Sequence, residues 1–238
     1  MMKQVLVNGA FGKMGSVSRH AIEACPHLNI AALLTRGDNL SEAITHYQPD
    51  IVIDFTHPSV VKAHANICID HQVHLVIGTS GLLPEDISNL KNRCEALQLG
   101  GLIIPNFSIG AIIMMHMATL AAPFFDHVEI TESHQSTKAD FPSGTARETA
   151  LSMAQVNPRL KTSPDLRGDV STGIHIHSKR PPIEQAIQQV ELSTPNEQLT
   201  IETRALTRES YAKGIILALE QVTQLNTLEV GLSHCIFK

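Results

Sequence analysis

Short apolar runs alternate with amphipathic stretches through the first part of the chain. Gln4-Val5-Leu6-Val7-Asn8, Ile30–Leu34, Asp50–Asp54, His74–Ile77 and Gly101–Ile104 read as strands buried on both faces. Between them run helical patterns. One goes through Val17, His20, Ala21 and Ala24 and is ended by Pro26; another is Leu40–His46. A third runs from a Ser59 cap to Asp70, and a fourth is Pro84–Leu97, with Pro84 in its first turn and Glu85-Asp86 early. Strand–helix alternation of this kind predicts an α/β fold with a doubly wound parallel sheet.

The pattern then changes. Ile109–Ala122 is apolar almost all round and predicts a buried helix, with His116 as a hydrogen-bonded core histidine rather than a catalytic one. His127–Thr131 alternates like a strand and Gly144–Val156 is helical. Pro158, Pro164 and Gly168 make 157–169 an exposed loop. Thr172–Ser178, Gln185–Ser193 and Gln198–Leu206 read as antiparallel strands, the last two joined by a hairpin at Pro195-Asn196. Ser210–Thr223 returns to helix, and Leu228–Phe237 reads as a final strand. This is a second, α+β segment built on a mainly antiparallel sheet.

Each strand end of the first segment carries small or polar residues. The first opens into Gly9-Ala10-Phe11-Gly12-Lys13-Met14-Gly15 and a helix. Strand, glycine turn and helix form a dinucleotide-binding start, because glycine lets backbone approach a pyrophosphate and the helix N-terminus attracts its charge. The spacing is Gly-x-x-Gly-x-x-Gly rather than the commoner Gly-x-Gly-x-x-Gly. Thr35-Arg36-Gly37-Asp38 lies about twenty residues beyond, where an acid would bind the ribose of NAD and an arginine the 2′-phosphate of NADP. Arg36, with no acid before it, tilts the reading towards NADPH. Phe55-Thr56, Gly78-Thr79-Ser80-Gly81 and Pro105-Asn106-Phe107-Ser108 end the later strands, where ligands of such sheets bind.

Residues 132–146 concentrate a different chemistry: Glu-Ser-His-Gln-Ser-Thr-Lys-Ala-Asp-Phe-Pro-Ser-Gly-Thr-Ala. His134 offers a general acid and Lys138 a cation. Pro142-Ser143-Gly144-Thr145 is a turn into a helix start with N–H groups free for an anion. Together they suit a carboxylate substrate that must be protonated. Alone, the stretch equally admits a polar loop with a solvated His and Lys.

Composition narrows this picture. The chain has 238 residues, enough for a core without staples, and its net charge of −5 gives no footprint for nucleic acid or an anionic membrane. The local Lys179-Arg180 spot suits a small anionic ligand. Cys25, Cys68, Cys94 and Cys235 lack metal-ligand spacing and read as buried thiols. Despite 13 histidines there is no His-Glu-x-x-His pattern, and no metal site is expected. No signal peptide is visible, since Met1-Met2-Lys3-Gln4 leads straight into a strand, and no apolar run reaches membrane-spanning length. A reduced, cytoplasmic protein is the simplest reading.

These motifs, in this order, resemble the 4-hydroxy-tetrahydrodipicolinate reductase (dihydrodipicolinate reductase) family of lysine and diaminopimelate biosynthesis. The carriers are the Gly9–Gly15 turn, Asp54-Phe55-Thr56, Gly78–Gly81, Asn106-Phe107-Ser108 and above all Glu132–Ala146. Ile176-His177-Ser178-Lys179-Arg180 and Arg208 with Gly214 extend the likeness over nearly the whole chain.

The resemblance implies a Rossmann-like dinucleotide-binding domain, 1–106 with 209–238, and a substrate and oligomerisation domain, 107–208. It implies a homotetramer that reduces a cyclic hydroxy-imine dicarboxylate with hydride from NADPH or NADH. By the same likeness, His134 is the acid/base and Lys138 a donor, and Gln135, Ser143, Gly144 and Thr145 hold the substrate. Gly9, Phe11, Gly12, Lys13, Met14, Gly15, Arg36, Phe55, Thr56, Gly78, Thr79, Ser80, Pro105, Asn106 and Phe107 hold the cofactor.

The chain departs from the family pattern at several places. Gln135 stands where many members have a second histidine, and Thr35 where an acid precedes the arginine. Lys179 stands where an apolar residue is commoner, and Phe141 where a small one is. Two other readings stay open at this point, an aspartate-type amino-acid dehydrogenase and a nucleotide-sensing protein without turnover.

Overall fold

The computed structural model describes residues 2–136, 141–160, 173–182 and 186–237. Backbone contacts divide the chain into two units, Met1–Phe107 with Tyr211–Lys238, and Ser108–Ser210.

The first unit opens with β1 (Lys3–Asn8), α1 (Lys13–Glu23), β2 (Leu28–Leu34), α2 (Leu40–Tyr47), β3 (Ile51–Asp54), α3 (Val61–Asp70), β4 (His74–Ile77), α4 (Pro84–Leu97) and β5 (Gly101–Ile103). Val5, Leu6, Val7, Ile51, Ile53 and Val76 are fully buried, as strands covered on both faces must be. Asn39 caps α2 by accepting from the Ser41 and Glu42 N–H groups. Ser59 does not cap α3. Its hydroxyl bonds His57 Nδ1, and the helix starts after Val60 without a side-chain cap.

The second unit contains α5 (Ile109–Ala121), β6 (His127–Ser133), α6 (Gly144–Val156), β7 (Ile176–Lys179), β8 (Ala186–Ser193) and β9 (Gln198–Ala205). Its sheet order is β7-β6-β8-β9. β8 pairs antiparallel with β6 and β9, but β7 runs parallel to β6, so the expectation of an antiparallel strand there is corrected. Ile130, Ile176, Val190 and Leu192 point from one sheet face into a core completed by Met114, Ala118, Ala146, Ala150 and Met153 of α5 and α6. α5 is not buried all round as its composition suggested. Met114 and Ala118 pack inward while Ile113, Met117 and Leu120 are exposed, and His116 is half-buried.

The chain returns to the first unit through α7 (Ala212–Gln221), β10 (Leu228–Val230) and the short α8 (Ser233–Ile236). The expected strand to Phe237 therefore stops at Val230, where Gly231 with φ +83° turns the chain. All six strands of this unit are parallel, in the order β10-β5-β4-β3-β1-β2. Gly214 lets α7 close on Phe107, since a Cβ there would lie 2.0 Å from the Phe107 carbonyl oxygen. Cys68, Cys94 and Cys235 are buried, whereas Cys25 is only half-buried. Burial pushes up the Cys68 and Cys94 thiols, Cys94 to about 11, which suits inert core residues.

Candidate active site

In the first unit the order in which strands are added reverses between β1 and β3, the chain having placed β2 on the other side of β1, and ligands of such sheets lie at the carboxyl ends beside that point. The glycine turn is there. Gly9 has φ +81°, and a Cβ on it would come 2.4 Å from the Phe55 carbonyl oxygen. A Cβ on Gly15 would come 2.1 Å from the Gly9 carbonyl oxygen. The turn is thus folded onto its own helix and onto the end of β3, and only glycine permits both contacts.

Gly12 is the N-cap of α1 without a side-chain bond, and no acid stands in the first turn, so the N–H groups of Lys13, Met14 and Gly15 stay open to an anion. Phe11 is exposed, with the Arg19 guanidinium 5.1 Å over its ring.

The other strand ends add to this edge. The Phe55 and Phe107 rings lie 5.4 Å apart, and Gly78 leaves room for both, because a Cβ there would meet Phe55 Cε1 at 2.2 Å. Thr79 is buried while Ser80 and Pro105 are exposed and Asn106 is half-buried. Beyond β2, Arg36 is exposed. Asp38 does not stand free as an acid, because its carboxylate accepts from Thr35 N at 2.6 Å and Thr35 Oγ1 at 2.8 Å. These bonds hold its carboxyl below the usual range.

In the second unit, three elements converge at the carboxyl end of β6. His134 follows that strand directly. Asn157 at the far end of α6 donates to the Ala122 and Phe125 carbonyls just ahead of β6. Thr149, nearer the start of α6, accepts from Gln188, which sits opposite Glu132. α6 therefore runs antiparallel to β6 and brings its N-terminus to the end where His134 stands. β7 is parallel to β6, so Arg180, next after it, reaches the same end.

The centre of this site is Glu132, to which no sequence motif assigns a role. Glu132 is two residues before His134, on the same strand face, and its side chain is fully buried. His134 Nδ1 is in short contact with Glu132 Oε2, and Arg180 Nη1 lies 2.9 Å from Oε1. The Lys179 carbonyl closes the ring by accepting from the His134 N–H at 3.1 Å and from Arg180 Nη1 at 2.8 Å. Arg180 thus pairs with Glu132. The pattern that could have revealed Glu132 is the alternation of β6; Arg180 is too distant in sequence to leave one.

Burial pushes the Glu132 carboxyl up, but hydrogen bonds from His134, Ser178 and Arg180 outweigh it and hold the group below its usual range. Its contribution to stability is therefore present above the ordinary carboxylate value of about 4.3 and lost as pH falls through the depressed native value. Acid titration of the folded chain should show this loss below about pH 4, and Glu132→Gln should flatten that limb of the curve.

At the start of α6, Ser143 is buried and its hydroxyl accepts from the Ala146 N–H, so it serves as helix cap. Gly144 is exposed and Thr145 half-buried, and among the described residues nothing lies within 4 Å of a Cβ position on Gly144. Gln135 is half-buried beside His134, and Lys138 lies outside the described residues. Metal-type donors meet once among the described residues, at Cys25, His27 and Glu220, at the amino-terminal edge of the first sheet and away from its carboxyl ends.

Two family models match the chain, dihydrodipicolinate reductase N-terminus over residues 3–107 and dihydrodipicolinate reductase C-terminus over 110–236. A 4-hydroxy-tetrahydrodipicolinate reductase of Legionella pneumophila strain Philadelphia 1 is 40% identical over 98% of this chain and 99% of its own length. One from Geobacillus thermodenitrificans is 37% identical over the same shares. The solved structure of a dipicolinate-bound dihydrodipicolinate reductase from Paenisporosarcina sp. TG-14 superposes with a TM-score of 0.90 at 32% identity, covering 98% of this chain and 99% of that one.

Proposed function

The chain belongs to the dihydrodipicolinate reductase family, and from that membership we propose that it reduces 4-hydroxy-tetrahydrodipicolinate to tetrahydrodipicolinate, in lysine and diaminopimelate biosynthesis. The observation that carries the chemistry is the Glu132–His134 pair at the end of β6 to which the N-terminus of α6 is brought.

NADPH or NADH supplies the hydride when bound. The glycine turn fits it, since Gly9 and Gly15 leave no space for a side chain and the start of α1 offers free N–H groups to a pyrophosphate. Arg36 stands free beyond β2 while Asp38 is tied to Thr35, which favours the 2′-phosphate of NADPH over a bare ribose hydroxyl.

In the second unit, the Gly144 and Thr145 N–H groups and Gln135 bind a substrate carboxylate, and Lys138 adds a positive charge for the dianion. Glu132 engages His134 Nδ1 and leaves Nε2 to give a proton. Hydride addition to the conjugated carbon–nitrogen system builds negative charge, and the proton relieves it. The 4-hydroxyl leaves as water with a proton from the adjacent ring carbon, which creates the conjugated system, and one hydride and one proton then enter the ring. The dipicolinate seen in the Paenisporosarcina structure is a planar dicarboxylate of the same shape class, consistent with a site that grips two carboxylates.

We also infer a cytoplasmic homotetramer. The free thiols among the described residues fit a reducing compartment, and light scattering should give four times the mass of one chain. The deciding assay follows nucleotide oxidation at 340 nm with freshly generated hydroxy-tetrahydrodipicolinate. Oxidation is expected with both nucleotides, with NADPH preferred in kcat/KM, and no oxidation with either would remove the assignment.

A further inference from the structure

We propose that Asp54 is a positioning residue of the nucleotide cradle, its buried carboxylate gathering bonds from Asn8, Thr56, His64 and Thr79 so that three strand ends are held in one arrangement. The proposal rests on the nucleotide-binding reading of the first unit and extends it to a group that need not touch the ligand.

Asp54 closes β3 and sits side by side with Asn8 at the end of β1. It is buried, with 4% of its surface exposed. Its Oδ1 accepts from Thr56 N at 3.1 Å, Thr56 Oγ1 at 2.7 Å and Thr79 Oγ1 at 2.6 Å. Its Oδ2 accepts from Asn8 Nδ2 at 3.0 Å and pairs with His64 Nδ1, on α3, at 2.8 Å. Thr56 N also donates to Thr79 Oγ1 at 2.8 Å, which closes the cluster. Burial alone would push the carboxyl up, but the bonds from His64, Thr79 and Thr56 hold it below the usual range, so the group is an anion at neutral pH.

The placement of these partners gives the carboxylate its reach. Asn8 and Thr56 flank the close contact between Gly9 and the Phe55 carbonyl, on which the glycine turn rests. Thr79 follows Gly78, over which the Phe55 and Phe107 rings pack. A single buried anion therefore sets the glycine turn, the aromatic pair and the β4 turn relative to one another. Pre-set geometry of this kind spares a ligand the cost of ordering the loops, so its loss should appear in affinity before it appears in turnover.

The test is a titration of the full chain with NADPH and with NADH, read as Kd, beside kcat at saturating nucleotide. Asp54→Asn keeps the shape and one acceptor but turns an amide towards the Asn8 amide. Kd should rise about tenfold, the effect of one misfit buried hydrogen bond, with kcat changed less than about threefold. Asn8→Asp combined with Asp54→Asn exchanges donor and acceptor, keeps one carboxylate, and should bring Kd back to within about threefold of the parent. Parent-like Kd in Asp54→Asn, or no recovery in the exchange variant, overturns the proposal. If Asp54→Asn fails to fold, His64→Leu removes one donor from a partly exposed side chain of similar size. A rise of about threefold in Kd then supports the proposal, and an unchanged Kd overturns it. A parent chain that binds neither nucleotide would instead overturn the nucleotide reading, so the two failures are distinct.

Discussion

His134→Gln is expected to lower kcat by about 10²- to 10⁴-fold, the usual worth of a positioned general acid. Glutamine is the informative replacement. Its amide can still donate to the Glu132 carboxylate, so the buried anion keeps a partner and the end of β6 keeps its shape. What disappears is a group able to give a proton at Nε2. Nucleotide Kd should stay within about twofold, because the glycine turn and the aromatic pair belong to the other unit. Steady-state kinetics with the freshly generated substrate, with nucleotide titration alongside, separates the two quantities. Turnover equal to the parent would take His134 out of the mechanism and move the search for the proton donor to Lys138. His134→Ala should be worse on a second count, because it leaves Glu132 buried with one partner fewer and so should also lower the melting temperature.

How far this site could be read in advance depends on the range of the contacts that build it. The strands of the first unit were legible because burial on both faces leaves runs such as Val5-Leu6-Val7 with no polar position. The glycine turn was legible because the constraint on Gly15 is local: a Cβ there meets the backbone of Gly9 and Ala10, a few residues back. The direction of β7 was not. Ile174 and Ile176 mark a strand with one face in the core, but alternation is the same whichever way a neighbour runs.

α5 misled for a related reason. Its sequence is apolar on every side, and only the fold shows that the side bearing Met114 and Ala118 is the one packed. Glu132 was legible as a strand residue on the His134 face and no further. Its other partners, Ser178 and Arg180, come from beyond α6 and could be named only once β6 and β7 were paired. The Asp54 cluster lies between these cases, with Thr56 two residues on, His64 ten residues on along a helix, and Thr79 across the sheet.

Gly15→Ala tests the other unit, and its expected result is loss of nucleotide binding by at least about a hundredfold in Kd. The added methyl would lie 2.1 Å from the Gly9 carbonyl oxygen and 2.8 Å from Ala10 Cα. Both neighbours are backbone, so no side chain can swing aside, and the glycine turn itself must move off the start of α1. That displacement separates the two features that make the anion site, the close backbone of the turn and the unpaired N–H groups of the helix.

Gly37→Ala is the matched control. It lies in an exposed turn of the same unit, nothing stands within 4 Å of its Cβ position, and it should leave Kd unchanged. Far-ultraviolet circular dichroism and thermal melts of both variants would separate a displaced turn from an unfolded unit. Retained tight binding of NADPH by folded Gly15→Ala would show that the pyrophosphate is not held by the helix start, and the dinucleotide would have to be sought at the ends of β4 and β5. Weak binding in Gly15→Ala with an intact melt, beside parent-like binding in Gly37→Ala, would instead tie affinity to one backbone contact, made possible by the absence of a single side chain.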